Sequence, residues 1–454
     1  MTASNSAWFV LRLNLQVQVL RIHAQPVTQR RYQKETHMSA ISTQSPEQDE
    51  VLDSQGLAAV TFTLHWSDGR ATHRDELHVP KFSVWREADF LPGSVNEKIP
   101  GMRVGEVTQA DLGAGELTGS WDARQQFSTS PDHFDRHYRR GLTVEPRCGR
   151  FYPQGFFHGA HGVVREALEP ARITGLDAEA MCVDVNHPLA RFPVQVECRL
   201  AQVLPGADTR GGRCSSPLDD LARYAGLAAR LADGKPTDFG DDAVGMARMD
   251  QREDSAFYAR ARMVQHLDAR AIETVNALYR RLIPAQAEVL DLMASYDSHL
   301  KGCEMRSLHV LGMNSDELGA NAEATSDRVQ DLNQSPRLPF KAASLDAVVC
   351  TASIEYLVRP QAVLAEVLRV LRPGGLFAVT FSNRWFPSKA IQVWSELHEY
   401  ERLGMVTQWL QQAGFERLHT LSSRGWPRPE GDVHYSETAV SDPLYAAWGF
   451  KPQQ

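Results

Sequence analysis

Glu288-Val-Leu-Asp-Leu292 and Leu371-Arg-Pro-Gly-Gly-Leu-Phe-Ala-Val-Thr-Phe-Ser382 bracket the run that decides the fold. The first is a short apolar strand with one acid, Asp291, near its end. The second reads as a helix stopped by Pro-Gly-Gly and followed by a buried strand. Between them lie two more apolar strands, Leu308-His-Val-Leu311 and Leu345-Asp-Ala-Val-Val-Cys350. Strands therefore alternate with helices from 289 to 450, which predicts an α/β Rossmann-like unit with a largely parallel sheet. Beyond the first strand the chain continues Met293-Ala-Ser-Tyr-Asp297, and Ser441-Asp-Pro-Leu-Tyr-Ala-Ala-Trp448 supplies a last strand.

This order resembles class I S-adenosylmethionine-dependent methyltransferases, especially the type 11 group. The resemblance spans roughly 257–450 and implies S-adenosyl-L-methionine as cofactor. Relatives carry Asp-x-Gly-x-Gly-x-Gly after the first strand; here Met293, Ser295 and Asp297 hold the glycine positions. The resemblance makes Asp291 the organiser of that loop, with Ser295 small enough for close approach. It sets Asn314 at the ribose, Asp331 at the adenine amino group and Leu332 against the ring. Thr351 follows the fourth strand, at the carboxyl edge where open α/β sheets bind ligands. Glu355 and Tyr356 then face substrate. Phe257-Tyr-Ala-Arg-Ala-Arg262 with His266 form either a lid or an ordinary capping helix.

The chain has 454 residues, 43% hydrophobic and 23% charged, with a formal charge of −8. That length suits two or three globular domains. The acidic balance without a basic stripe argues against a nucleic-acid binder. No stretch reaches the ~18 apolar residues of a membrane helix, so no membrane partner is expected. None of the six cysteines forms Cys-x-x-Cys, which suggests a reduced, cytoplasmic protein without a disulfide framework. His133 with His137, and His158 with His161, lack a third ligand at fixed spacing, so no metal site is expected.

Upstream, residues 57–66 alternate as a strand, and Ser67-Asp-Gly69 turns the chain. Ala180-Met-Cys-Val-Asp-Val185 and residues 194–203 are further strands, so 57–203 reads as α+β, mostly β. Leu91-Pro-Gly93, Ile99-Pro-Gly-Met-Arg-Val-Gly-Glu106 and Val183-Asp-Val-Asn-His-Pro-Leu-Ala190 stand in order within it. Those motifs resemble FK506-binding-protein (FKBP) prolyl isomerases of the SlyD type. The resemblance implies an apolar pocket that eases rotation about an imide bond, whose barrier is ~18–20 kcal/mol. It assigns Asp75 as the pocket acid and Phe90 and Leu91 as its floor. Phe151 or Tyr152 would be the flap aromatic, and 149–182 a flap that holds proline-containing or unfolded protein segments.

The expected organisation is a flexible extension at 1–55, an FKBP-like domain at 56–204, a linker and helix at 205–256, and a methyltransferase-like domain at 257–454. Within these, an amphipathic helix is expected at 218–232 and another across 260–282. Either Met1 or Met38 serves as the start. The whole reads as an isomerase joined to a methyltransferase of unknown acceptor. The alternative is a non-catalytic chaperone or scaffold whose rear domain has lost the donor.

Overall fold

A computed structural model describes residues 50–87, 91–138, 140–141, 143–206, 216–228 and 231–453. Phe90, Cys214, Met38, most of the expected extension and residues 207–215 of the linker lie outside them. The strands are β1 (Leu57–Ser67), β2 (Ala71–Ser83), β3 (Val107–Leu112), β4 (Gln126–Thr129), β5 (Phe151–Pro153), β6 (Pro170–Leu176), β7 (Met181–Asp184) and β8 (Val194–Leu204), then β9 (Ala287–Ala294), β10 (Met305–Gly312), β11 (Ser326–Val329), β12 (Leu345–Thr351), β13 (Leu371–Phe381), β14 (Glu416–Arg424) and β15 (Leu444–Phe450). The helices are α1 (Val84–Glu87), α2 (Gly93–Asn96), α3 (Pro217–Ala222), α4 (Asp254–Tyr258), α5 (Ala269–Leu282), α6 (Ser315–Gly319), α7 (Pro360–Val370), α8 (Gln392–Glu396) and α9 (Glu399–Ala413).

The rear strands line up as β11-β10-β9-β12-β13-β15-β14. All run parallel except β15, which is antiparallel to both its neighbours. The chain moves outward from β9 to β11 and then returns to β12 beside β9. That reversal creates the crevice where doubly wound sheets bind ligands. Alternation along each strand feeds two cores. Leu290, Val348, Cys350 and Phe377 pack under α7 and α9, whereas Val289, Ala347, Val349 and Ala378 pack with α5. Burial on both faces explains why these strands read as unbroken apolar runs.

In front, β2-β1-β8-β3 form an antiparallel ribbon, and β4-β7-β6-β5 form a separate small sheet. The ribbon does not end at β2. β2 pairs in parallel with β14, from Leu418 opposite Ala71 to Arg424 opposite Leu77. Front and rear thus share one 11-stranded sheet, and residues 48–454 make one compact unit.

Two expected helices are shorter than their apolar spacing suggests. The one expected at 218–232 is helical only to Ala222. Gly226 adopts φ 88°, and a Cβ there would lie 2.6 Å from Pro188, so the chain turns to pack closely. The helix expected from 260 begins at Ala269, because the Asp268 carboxylate caps it by accepting from the backbone of Ala271. Residues 50–55 are not a loose tail: Leu52 is buried in the front core and Val51 bridges to Arg103.

Candidate functional site

The loop after β9 keeps the glycine conformation without glycine. Met293 sits in the left-handed region at φ 62°, which costs an L-residue roughly 1–2 kcal/mol. The β9–β10 register shifts here, setting Gly312 opposite Ala294. A Cβ on Gly312 would lie 2.1 Å from the Ala294 carbonyl oxygen, so that glycine permits the close approach. Asp291, at the strand's end, is 3% exposed. Burial pushes its carboxyl up to about 8, against a bond from Ser298 and with help from the charge of Asp297.

Asn314 ends the β10 loop at the cleft, but its side chain is engaged. Its Oδ1 accepts from the backbones of Asp316 and Glu317, capping α6. Its amide nitrogen donates to the Tyr258 carbonyl at 2.8 Å. The acid beside it is Glu317, on the first turn of α6, which the sequence reading missed. Glu317 accepts from Ser295 Oγ at 2.6 Å and from the Arg262 backbone at 2.7 Å. It ties the glycine-position loop to the segment 254–267.

After β11, Asp331 Oδ1 caps a turn by accepting from the Asn333 and Gln334 backbones, and Leu332 is buried beside it. After β12, Thr351 Oγ1 lies 2.7 Å from the Tyr279 hydroxyl. Tyr356 lines the cleft, but Glu355 does not. Glu355 is 1% exposed, and burial raises its carboxyl to about 7.

The segment 254–267 opens with α4 and continues without regular structure as a strap across the cleft. Asp254 anchors it, with Arg248 Nη1 at 2.8 Å and Lys389 Nζ at 3.1 Å. Asn333 also donates to Asp254 at 3.0 Å. Gln265 donates to Asp297 at 2.6 Å. Phe386, after β13, meets Phe257, His266 and Tyr356 edge-on or tilted, with ring centroids 5.2–5.9 Å apart.

Asp291, Ser295, Asn314, Asp331, Leu332 and Thr351 all line this one cleft. Its cavity volume is about 140 Å³, and it opens to solvent.

Residues 290–379 match the family model of the type 11 methyltransferase domain. Those residues are a class I S-adenosylmethionine-dependent methyltransferase domain. Its cofactor is S-adenosyl-L-methionine. A curated Mycolicibacterium smegmatis protein named "Probable S-adenosylmethionine-dependent methyltransferase" is 35% identical over 117 residues, 25% of this chain and 45% of that protein. The chain thus spans less than half of that relative's length. A methyltransferase structure from Aquifex aeolicus is 14% identical, with 41% of this chain and 91% of that one covered and a TM-score of 0.28. One from Mesorhizobium loti is 14% identical, covering 38% and 97%, with a TM-score of 0.26.

The methyltransferase domain's residues fit that cofactor. Asp297, Glu317 and Asp331 give the cleft an acidic lining for a cationic donor, and Asp291 adds a buried carboxyl. The left-handed turn at Met293 brings backbone to the cleft's edge. Asp331 suits the adenine amino group, and Leu332 the ring.

The residues nominated for an isomerase pocket do not gather around such a cleft. Asp75 is 2% exposed and lies in the seam with the methyltransferase sheet. Its Oδ2 accepts from Trp66 Nε1 at 2.9 Å, and its Oδ1 accepts from Ser422 Oγ at 2.6 Å. Leu91 belongs to the front core and Tyr152 to the separate core of the small sheet. The Tyr152 hydroxyl donates to the Glu145 carbonyl at 2.9 Å. Phe151, on the expected flap, is buried in the rear core. Beside it, Arg150 meets Glu401 of α9 at 3.4 Å. Phe90 is outside the described residues.

Proposed function

We propose that this chain transfers a methyl group from S-adenosyl-L-methionine to an acceptor held under the strap 254–267. One observation carries the reading: the six residues nominated for the donor meet in a single cleft at the sheet's switch point. When bound, the donor supplies an electrophilic methyl carbon on a positive sulfur. The chain's residues orient and desolvate. Asp331 and Leu332 fix the adenine end, Glu317 takes the ribose hydroxyls in place of the engaged Asn314, and Asp291 faces the amino-acid end. Tyr258, Tyr356 and Phe386 exclude water from the acceptor side, and holding two reactants in line lowers the barrier substantially.

Calorimetry of the full chain with S-adenosyl-L-methionine tests this. The expected result is saturable binding, weakened about tenfold, or about 1.4 kcal/mol, in Asp331→Ala. No heat and no thermal shift at millimolar donor overturns it.

The front half acts here as a brace rather than an isomerase. The engaged Asp75 and the docked flap support that reading, and a proline-peptide assay of the full chain checks it. Catalysis above the uncatalysed rate restores the isomerase. The unpaired thiols Cys148, Cys182, Cys198, Cys303 and Cys350 suit a reducing, cytoplasmic setting.

A further inference from the structure

The cleft is lined by acids, yet among the described residues one guanidinium, Arg262, also lines it, with no other Arg or Lys. Rings hold it rather than a counter-ion. Its guanidinium carbon lies 4.6 Å from the Phe257 ring centroid, 5.7 Å from Phe386 and 5.9 Å from Tyr258. One N–H donates to the Phe257 carbonyl at 2.9 Å. Among the described residues no carboxylate stands within 4 Å of it, although Glu317 accepts from its backbone N–H. A half-buried cation fixed by rings is well placed to receive an anion, because burial leaves it short of countercharge. His266, its neighbour on the strap, does not compete for that role. Burial, and then the charge of Arg262, hold the His266 imidazole below its ordinary value.

The donor's sulfonium and ammonium groups have no use for a cation, so Arg262 serves a negative charge. Flat walls adjoin it: Phe386, Tyr258 and Tyr356 all face the cleft. Resting on the methyltransferase reading, we propose that the methyl acceptor is a small planar carboxylic acid. Its carboxylate sits on Arg262 and its conjugated face lies against Phe386 and Tyr258. Guanidinium suits this role, since its planar fork matches a carboxylate and stacks on rings.

The donor carries a carboxylate too, and the experiment separates the two sources. Calorimetry with S-adenosylhomocysteine alone is followed by calorimetry at saturating S-adenosylhomocysteine with 4-hydroxybenzoate and trans-4-hydroxycinnamate, each against its primary amide. The acids are expected to bind and the amides at least tenfold more weakly. Arg262→Met is expected to weaken the acids at least tenfold, leave S-adenosylhomocysteine within twofold and keep the thermal midpoint. Arg262→Lys is expected to recover part of the acid binding. Equal binding of acid and amide overturns the proposal, as does S-adenosylhomocysteine binding with neither acid bound. Loss of S-adenosylhomocysteine binding in Arg262→Met also overturns it, by assigning the cation to the donor. Absence of S-adenosylhomocysteine binding in the unmutated chain fails the methyltransferase reading instead.

Discussion

At Met293 a backbone angle of 62° sets two opposed effects against each other. Glycine there would remove a left-handed penalty of roughly 1–2 kcal/mol. It would also lose the packing of a half-buried side chain and about 0.5–1 kcal/mol of backbone entropy. Met293→Gly is therefore expected to change the unfolding free energy from urea titration by less than about 1 kcal/mol. Met293→Val, β-branched at positive φ, is expected to cost about 1–3 kcal/mol. Asp291 makes a pH prediction. Its folded value of about 8 stands above the ordinary 3.8, so the native state holds that proton more tightly. The stability it contributes is full below about 4 and is lost as pH rises toward 8. Thermal midpoints of Asp291→Asn and the parent should coincide near pH 4, with the variant gaining steadily to pH 8. A constant difference across that range would show that Asp291 is already ionised. The residue identities at this site were largely legible, because strand order fixes which positions reach the carboxyl edge. Glu317 was missed, though Asn314 followed three residues later by Glu317 is a helix-start pattern that would have placed it beside Asn314.

Among the elements, the strap 254–267 was half legible. Its apolar spacing suggested a helix, but Asp268 starts α5 and leaves 259–268 irregular. What holds such a segment down is ionic, and sequence spacing carries no trace of it. Lys389 is 0% exposed and Arg248 is 9% exposed in their side chains, and both pair with Asp254. Removing one partner of a buried network typically costs about 3–5 kcal/mol, because a charge is left stranded. Asp254→Ala is expected to lose an amount of that order and to open 250–268 to limited proteolysis. Donor affinity should fall with it, since Asn333 bonds both Asp254 and the Tyr356 carbonyl. Unchanged protease resistance would mean that the bonds from Asn314 and Glu317 hold the strap without the ion pairs.

Across the whole molecule, sequence divided the chain where the structure joins it. Strands pair through backbone groups, so nothing in residues 71–77 announces a partner 347 positions away at 418–424. Side chains of β2 join β14 as well: His73 Nδ1 lies 2.7 Å from Thr420 Oγ1 and Asp75 bonds Ser422 in a buried seam, while Thr72 bonds His419 at the exposed face. The pairing also covers β14, which would otherwise end the methyltransferase sheet as an exposed edge inviting aggregation. Phe151 and Ala71 complete the rear core from the front half. Two halves that share a sheet and a core should unfold together. A single calorimetric transition is expected, with tryptophan fluorescence and far-ultraviolet dichroism coincident. Asp75→Ala, which strands the Trp66 indole N–H and leaves Ser422 only its bond with Tyr400, should destabilise that one transition by about 1–3 kcal/mol. If Asp75→Ala instead resolves two transitions, the seam is a contact between separable domains. An unchanged midpoint would mean that the backbone pairing alone secures the joint.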